Sequence, residues 1–202
     1  MDQQHISLSR GNIKMGTVPS ISLPAQTTCP RCPCWDKCYA KKLERFRPSV
    51  RKAYQRNLDI LNTDPDQYWR EVEAAVMCSR FFRFHVSGDI PDKQYLIRMI
   101  QVARRNQHCS ILCFTKRYEM VNEAIDEGFV LPGNLHMVFS AWRGFPIANP
   151  HNLPEAHVRY KDGTTTAGEH AKECGGNCAK CFLTDCGCWT LRNGEQVVFN
   201  EH

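Results

Sequence analysis

The sequence predicts a single α/β domain on a parallel sheet, a partial or small (β/α) barrel with cysteine-rich metal-binding loops in its N- and C-terminal parts. Three observations carry this. From Phe81 to Phe139, apolar runs alternate with segments of helical period, the strand–helix–strand order that builds right-handed crossovers and a parallel sheet. The 202 residues are 42% hydrophobic, enough for one full core and too few for two ordinary domains, so 1–202 reads as one unit. Nine of the twelve cysteines fall into two tight groups, one in the loop 28–39 and one in the segment 174–188.

Pro19–Pro24 alternates polar and apolar residues and reads as a short strand between prolines. The first cysteine loop follows. From Tyr39 a stripe of Leu43, Phe46, Val50, Tyr54, Leu58 and Leu61 marks one face of an amphipathic helix, kinked or restarted at Pro48. Asp64-Pro65 is an N-cap followed by proline at the first helical position, and predicts a helix to about Ser79. Phe81–Val86 is a strand ended by Ser87-Gly88-Asp89. Asp92–Asn106 carries the stripe Tyr95, Leu96, Met99, Ile100, Ala103. Cys109–Phe114 is a continuous apolar run, the mark of a buried parallel strand, and ends in Thr115-Lys116-Arg117. Tyr118–Glu127 is helical and stopped by Gly128. Leu135–Phe139 is a further strand, ended by Ser140-Ala141-Trp142-Arg143. Beyond residue 144 the pattern weakens: His157–Lys161 reads as a short strand, Asp162–Glu173 as polar turns, Gln196–Asn200 as an edge strand.

No apolar run approaches the ~20 residues that cross a bilayer, so no membrane association is expected. The N terminus lacks the apolar core of a secretory signal, which points to a cytoplasmic, reducing setting. Disulfides are disfavoured there, and tightly spaced cysteines are laid out as metal sites are. The first group is Cys29, Cys32, Cys34 and Cys38; the second is Cys174, Cys178, Cys181, Cys186 and Cys188. Thiolates are soft ligands that suit a [4Fe-4S] cluster, one or two here, or zinc. Cys109 and Cys113 flank an apolar run and read as core.

Ligands of parallel α/β folds bind at the carboxyl ends of the strands. That rule assigns Asp89, Lys116 and Ser140 as catalytic candidates, with Ser87, Gly88, Asp89 and Thr115 contacting a cofactor. His85, between Phe84 and Val86, reads as a satisfied core histidine; Trp35 and Trp189 read as either shields for a metal site or plain core. The net charge is +5, and Lys41, Arg45, Lys52 and Arg56 share a helix face that could track phosphates.

The order Pro-Ser-Ile-Ser-Leu-Pro, Thr28-Cys29-Pro30 running to Cys38-Tyr39-Ala40-Lys41, His85–Asp89, Phe114-Thr115-Lys116 and Phe139–Trp142, then a cysteine-rich C terminus, resembles the uncharacterised phage family called gene product 88. That resemblance implies a phage or mobile-element origin. The layout is also similar to radical S-adenosylmethionine enzymes, with a cysteine loop after the first strand and Gly88-Asp89 after the next, which implies S-adenosylmethionine as a cofactor. Two departures stand out: the first loop is not Cys-x3-Cys-x2-Cys, and one glycine rather than two precedes the acid. The expectation is an iron–sulfur enzyme doing radical or reductive chemistry on a small-molecule substrate, or served by an electron donor. The alternative is a zinc-stabilised nucleic-acid-binding protein without catalysis.

Overall fold

A computed structural model describes residues 4–12, 15–183 and 187–201. Seven strands form one sheet: β1 Ser20–Ile21, β2 Phe81–Phe84, β3 Ser110–Thr115, β4 Leu135–Ser140, β5 Glu155–Arg159, β6 Lys172–Glu173 and β7 Gln196–Asn200. Their order across the sheet is β1-β2-β3-β4-β5-β7-β6, and every pairing is parallel. β1 and β6 are the two edges, and among the described residues no pairing joins them, so the ladder is open.

The helices are α1 Ala25–Thr28, α2 Tyr39–Phe46, α3 Pro48–Thr63, α4 Pro65–Met77, α5 Lys93–Arg105, α6 Tyr118–Asp126 and α7 Cys178–Leu183. Local chemistry explains their ends. Pro48 has no backbone N–H and sits at the first turn of α3, so α2 and α3 are two helices rather than one kinked helix. Asp64 caps α4 by accepting the Gln67 amide at 2.8 Å, and Asp92 caps α5 by accepting that of Tyr95 at 2.8 Å. Gly128, with φ +92°, supplies the left-handed turn that ends α6.

Alternation along the strands divides the interior into two cores. Phe82, Phe84, Ile111, Cys113, Met137 and Phe139 face α3–α6 and pack on Tyr68, Trp69, Leu96, Ile100 and Val121. Leu112, Val138, Ala156 and Val197 face the other way, where Trp189, Leu191 and the C-terminal cysteines cover them. Cys109 and Cys113 are fully buried, as expected of small core residues.

Three expectations change. Gln196–Asn200 is not an edge strand: β7 lies between β5 and β6, and both Val197 and Val198 are buried. The edge is instead β6, two exposed polar residues with no strand period to announce them, short as unprotected edges tend to be. Phe46 does not join the buried stripe. It is 71% exposed, because the break at Arg47-Pro48 gives α2 a phase of its own, with Ala40 and Glu44 inward.

One buried amide makes three of the hydrogen bonds that tie down the N-terminal segment. Asn57 accepts the Ser7 N–H at 2.6 Å and donates to the carbonyls of Ser7 and Ser22 at 3.0 and 2.9 Å. Replacing it by alanine removes three hydrogen bonds and strands a buried carbonyl. We expect Asn57→Ala to lower unfolding free energy by about 3 kcal/mol, read from the urea midpoint at constant slope.

Candidate functional site

Because all strands point one way, the segments leaving their carboxyl ends meet on one rim. The first cysteine loop follows β1 and α1. Asp89 follows β2, Lys116 follows β3, and Ser140 ends β4. Cys174 comes directly after β6 and donates its amide to the Val198 carbonyl at 2.8 Å. These segments line a cavity of about 510 Å³, within the ~300–1,000 Å³ usual for small-ligand sites. Cys29, Cys32, Cys34 and Cys38 line it from one side and Cys174, Cys178, Cys181 and Cys188 from the other. Cys186 lies outside the described residues.

Within the cavity the polar groups are held in fixed positions. Asp89 is buried, and its carboxylate accepts the Thr115 hydroxyl at 2.6 Å and the amides of Ile90 and Lys116, both at 2.8 Å. Burial pushes its pKa up, against these donors and the Lys116 charge, which pull it down. The Lys116 ammonium donates to the Ser140 hydroxyl at 2.9 Å, and burial lowers its pKa. Its neighbour Arg117 points the other way. It donates to the carbonyls of Thr28 at 2.6 Å and Ile90 at 3.1 Å, bracing the base of the cysteine loop.

Of the predicted cofactor contacts, Gly88, Asp89 and Thr115 line the cavity, whereas Ser87 does not. The Ser87 hydroxyl turns to Glu44 at 2.7 Å. Glu44 also accepts the Ala25 amide at 2.9 Å, so one buried carboxylate joins α1, α2 and the end of β2. The Tyr39 hydroxyl donates to the Val86 carbonyl alongside. Sequence reasoning missed Glu44, although it is the only acid between Lys37 and Arg56. It also missed Arg83, the one cation in the run Phe-Phe-Arg-Phe. That guanidinium lies 4.9 Å over the Phe114 ring on the cavity wall.

The thiols are mixed in state. Burial pushes Cys29 up to about 12, helped by the charges of Asp89 and Cys38 and opposed by Lys116 and Arg117. Cys188 is likewise raised to about 12 by burial, with Cys174, Cys178 and Cys181 adding and Arg83 subtracting. Cys32 and Cys34 depart from the expectation of free thiolates: they are joined as a disulfide, their Cα atoms 5.4 Å apart, an ordinary span for such a bond. Among the described residues no three Cys, His, Asp or Glu side chains stand together in metal-ligand geometry.

The two tryptophans separate. Trp189 is buried against Phe81 with ring centroids 5.1 Å apart and lines the cavity, while Trp35 is 37% exposed. His85 is buried beside Phe84 and Tyr95 as expected, but among the described residues neither ring nitrogen has a hydrogen-bond partner. Its φ of +59° is the left-handed conformation.

Two predictions follow from this packing. A Cβ on Gly88 would come within 2.6 Å of the Leu23 carbonyl oxygen and 2.7 Å of the Thr28 hydroxyl, at a φ of +81°. Gly88→Ala should therefore cost about 2–3 kcal/mol in a urea titration and loosen the cysteine loop. Burial, with Arg83 nearby, holds His85 down to about 3 from the ordinary 6.5. The unfolded chain thus binds a proton that the folded chain refuses. This contribution to stability is whole above pH 6.5 and falls toward pH 3 by about 1.4 kcal/mol per unit. His85→Asn, which tolerates the same backbone, should flatten the acid limb by one proton's slope.

A family model described as gene product 88 matches residues 4–175, which span the first cysteine loop, the rim residues and Cys174. Neither a curated protein nor a solved structure matches the chain. No helix among the described residues is long and apolar enough to cross a membrane. The family match extends over most of the chain, so the chain belongs to the gene product 88 family.

Proposed function

We propose that this protein is an iron–sulfur enzyme that acts on a small ligand at the rim of its parallel sheet, read here as a partial barrel. One observation carries the proposal. Two cysteine groups more than a hundred residues apart line the same cavity, and that cavity also presents Lys116, Ser140 and Asp89. Structural cysteines would have no reason to converge on a ligand-sized cavity.

The donor set fits such a group in kind. Eight sulfurs line the space, and the Gly176 amide donates to the Cys174 sulfur at 3.4 Å, the type of contact that supports a ligating thiolate. Reduction of the Cys32–Cys34 bond would complete the first set. When bound, a cluster would supply an electron at low potential. The chain's own residues do the rest: Arg83 and Lys116 place positive charge in the cavity, and the Lys116–Ser140 pair offers a proton and a hydroxyl to a bound ligand. Asp89 holds Lys116 through its backbone amide and keeps about one acceptor position free. With Ser87 engaged by Glu44, that single position is what an amino group such as that of S-adenosylmethionine would find.

Iron, sulfide and zinc content per chain, measured on anaerobically purified protein, tests the proposal. Brown protein with both iron and sulfide is expected; colourless protein holding stoichiometric zinc would overturn it. Cleavage of added S-adenosylmethionine under strong reductant separates radical from simple reductive chemistry. The paired variants Cys29→Ser/Cys38→Ser and Cys174→Ser/Cys178→Ser should each lower the iron content. If the groups share one centre, either pair abolishes it; if they hold two, each pair removes about half.

A further inference from the structure

From Arg31 to Arg56 the surface has a composition that the cavity does not explain. The acids in this span are Asp36 and Glu44, and Glu44 is buried. The outward arc of α2 therefore presents Lys42 and Arg45 without a carboxylate, and Arg47, Arg51 and Lys52 continue it along α3, all exposed. Large aromatic rings lie among these cations. Phe46 is 71% exposed, Tyr39 47% and Trp35 37%. The rings are braced: Tyr39 is fixed by its hydroxyl on Val86, the Lys41 ammonium lies 4.2 Å over Trp35, and the Arg45 guanidinium lies 5.6 Å from the Phe46 ring.

We infer that the outward face of α2, with Trp35, is a docking surface for single-stranded nucleic acid. Exposed rings are costly in water unless something stacks on them, and the surrounding uncompensated cations call for a polyanion. A single strand satisfies both, its phosphates meeting the cations and its unpaired bases stacking on the rings. A duplex meets only the first need, since its bases are already stacked. An anionic membrane would want rings free to insert, whereas these are held by hydrogen bonding and by cations. The placement has a consequence for the cavity as well: Cys38, Tyr39 and Ala40, which open α2, also line it. A strand lying along α2 passes its mouth.

Fluorescence anisotropy of a fluorescein-labelled oligothymidylate of about 12 nucleotides, titrated with the full chain, tests this. Binding is expected to weaken linearly in log K against log salt. Lys42→Ala/Arg45→Ala should lower that slope by about 0.7 for each cation removed. Phe46→Ala should weaken binding about tenfold, and a duplex of the same length should bind less tightly. All three side chains are exposed, so thermal melts of these variants should match the parent. Absence of binding at low salt would overturn the inference. So would an affinity and slope indifferent to both variants, or capture by phosphatidylglycerol vesicles without oligonucleotide binding. Iron content is read on the same preparations. Colourless protein that binds the strand supports this surface and sinks the cluster proposal; brown protein that ignores it does the reverse.

Discussion

Parallel pairing is the constraint from which the rest follows. A strand that runs parallel to its neighbour must release its chain at the same end. Seven such strands deliver the loops after β1, β2, β3, β4 and β6 to one rim. The cysteine groups leave from the two opposite edges of the sheet, yet line one cavity. The fold therefore brings its first and last thirds together without either touching the other along the ladder.

Burial makes the charged groups of the rim find partners. Asp89 cannot stay charged inside the protein without donors, and it collects three: the amides of Ile90 and Lys116 and the Thr115 hydroxyl. Lys116 and Arg117 are adjacent in sequence but divide the work, one reaching Ser140 and the other Thr28 and Ile90. Neighbouring cations thus serve opposite directions, one facing the cavity and the other bracing the cysteine loop.

Much of this was legible in the sequence. The apolar run Cys109–Phe114 marked β3 to within a residue, the Asp64-Pro65 pair marked the start of α4, and the stripe from Tyr95 to Ala103 marked α5. The strand-end rule brings Asp89, Lys116 and Ser140 to one rim, and all three line the cavity. What was illegible depends on partners rather than on period. Nothing in Gln196–Asn200 says which strands flank it. Ser87 looks like a rim hydroxyl until Glu44 claims it, and the outward turn of Phe46 follows from where α2 stops. Glu44 and Arg83 did carry a signal, each the lone charge of its sign in its run: Glu44 is buried with two donors, and Arg83 lies over the Phe114 ring.

Glu44 has a kinetic meaning too. Helix α2 has eight residues, about 12 Å of helix, too short to persist by itself in water. Its anchorage includes Ala40, the Tyr39 hydroxyl on the Val86 carbonyl, and the two hydrogen bonds that Glu44 accepts from Ala25 and Ser87. Loss of these contacts should loosen α2 and, with it, Cys38 and Tyr39 on the cavity wall. We expect this wall to open more readily than the sheet, so that the amide protons of α2 exchange ahead of those of the central strands.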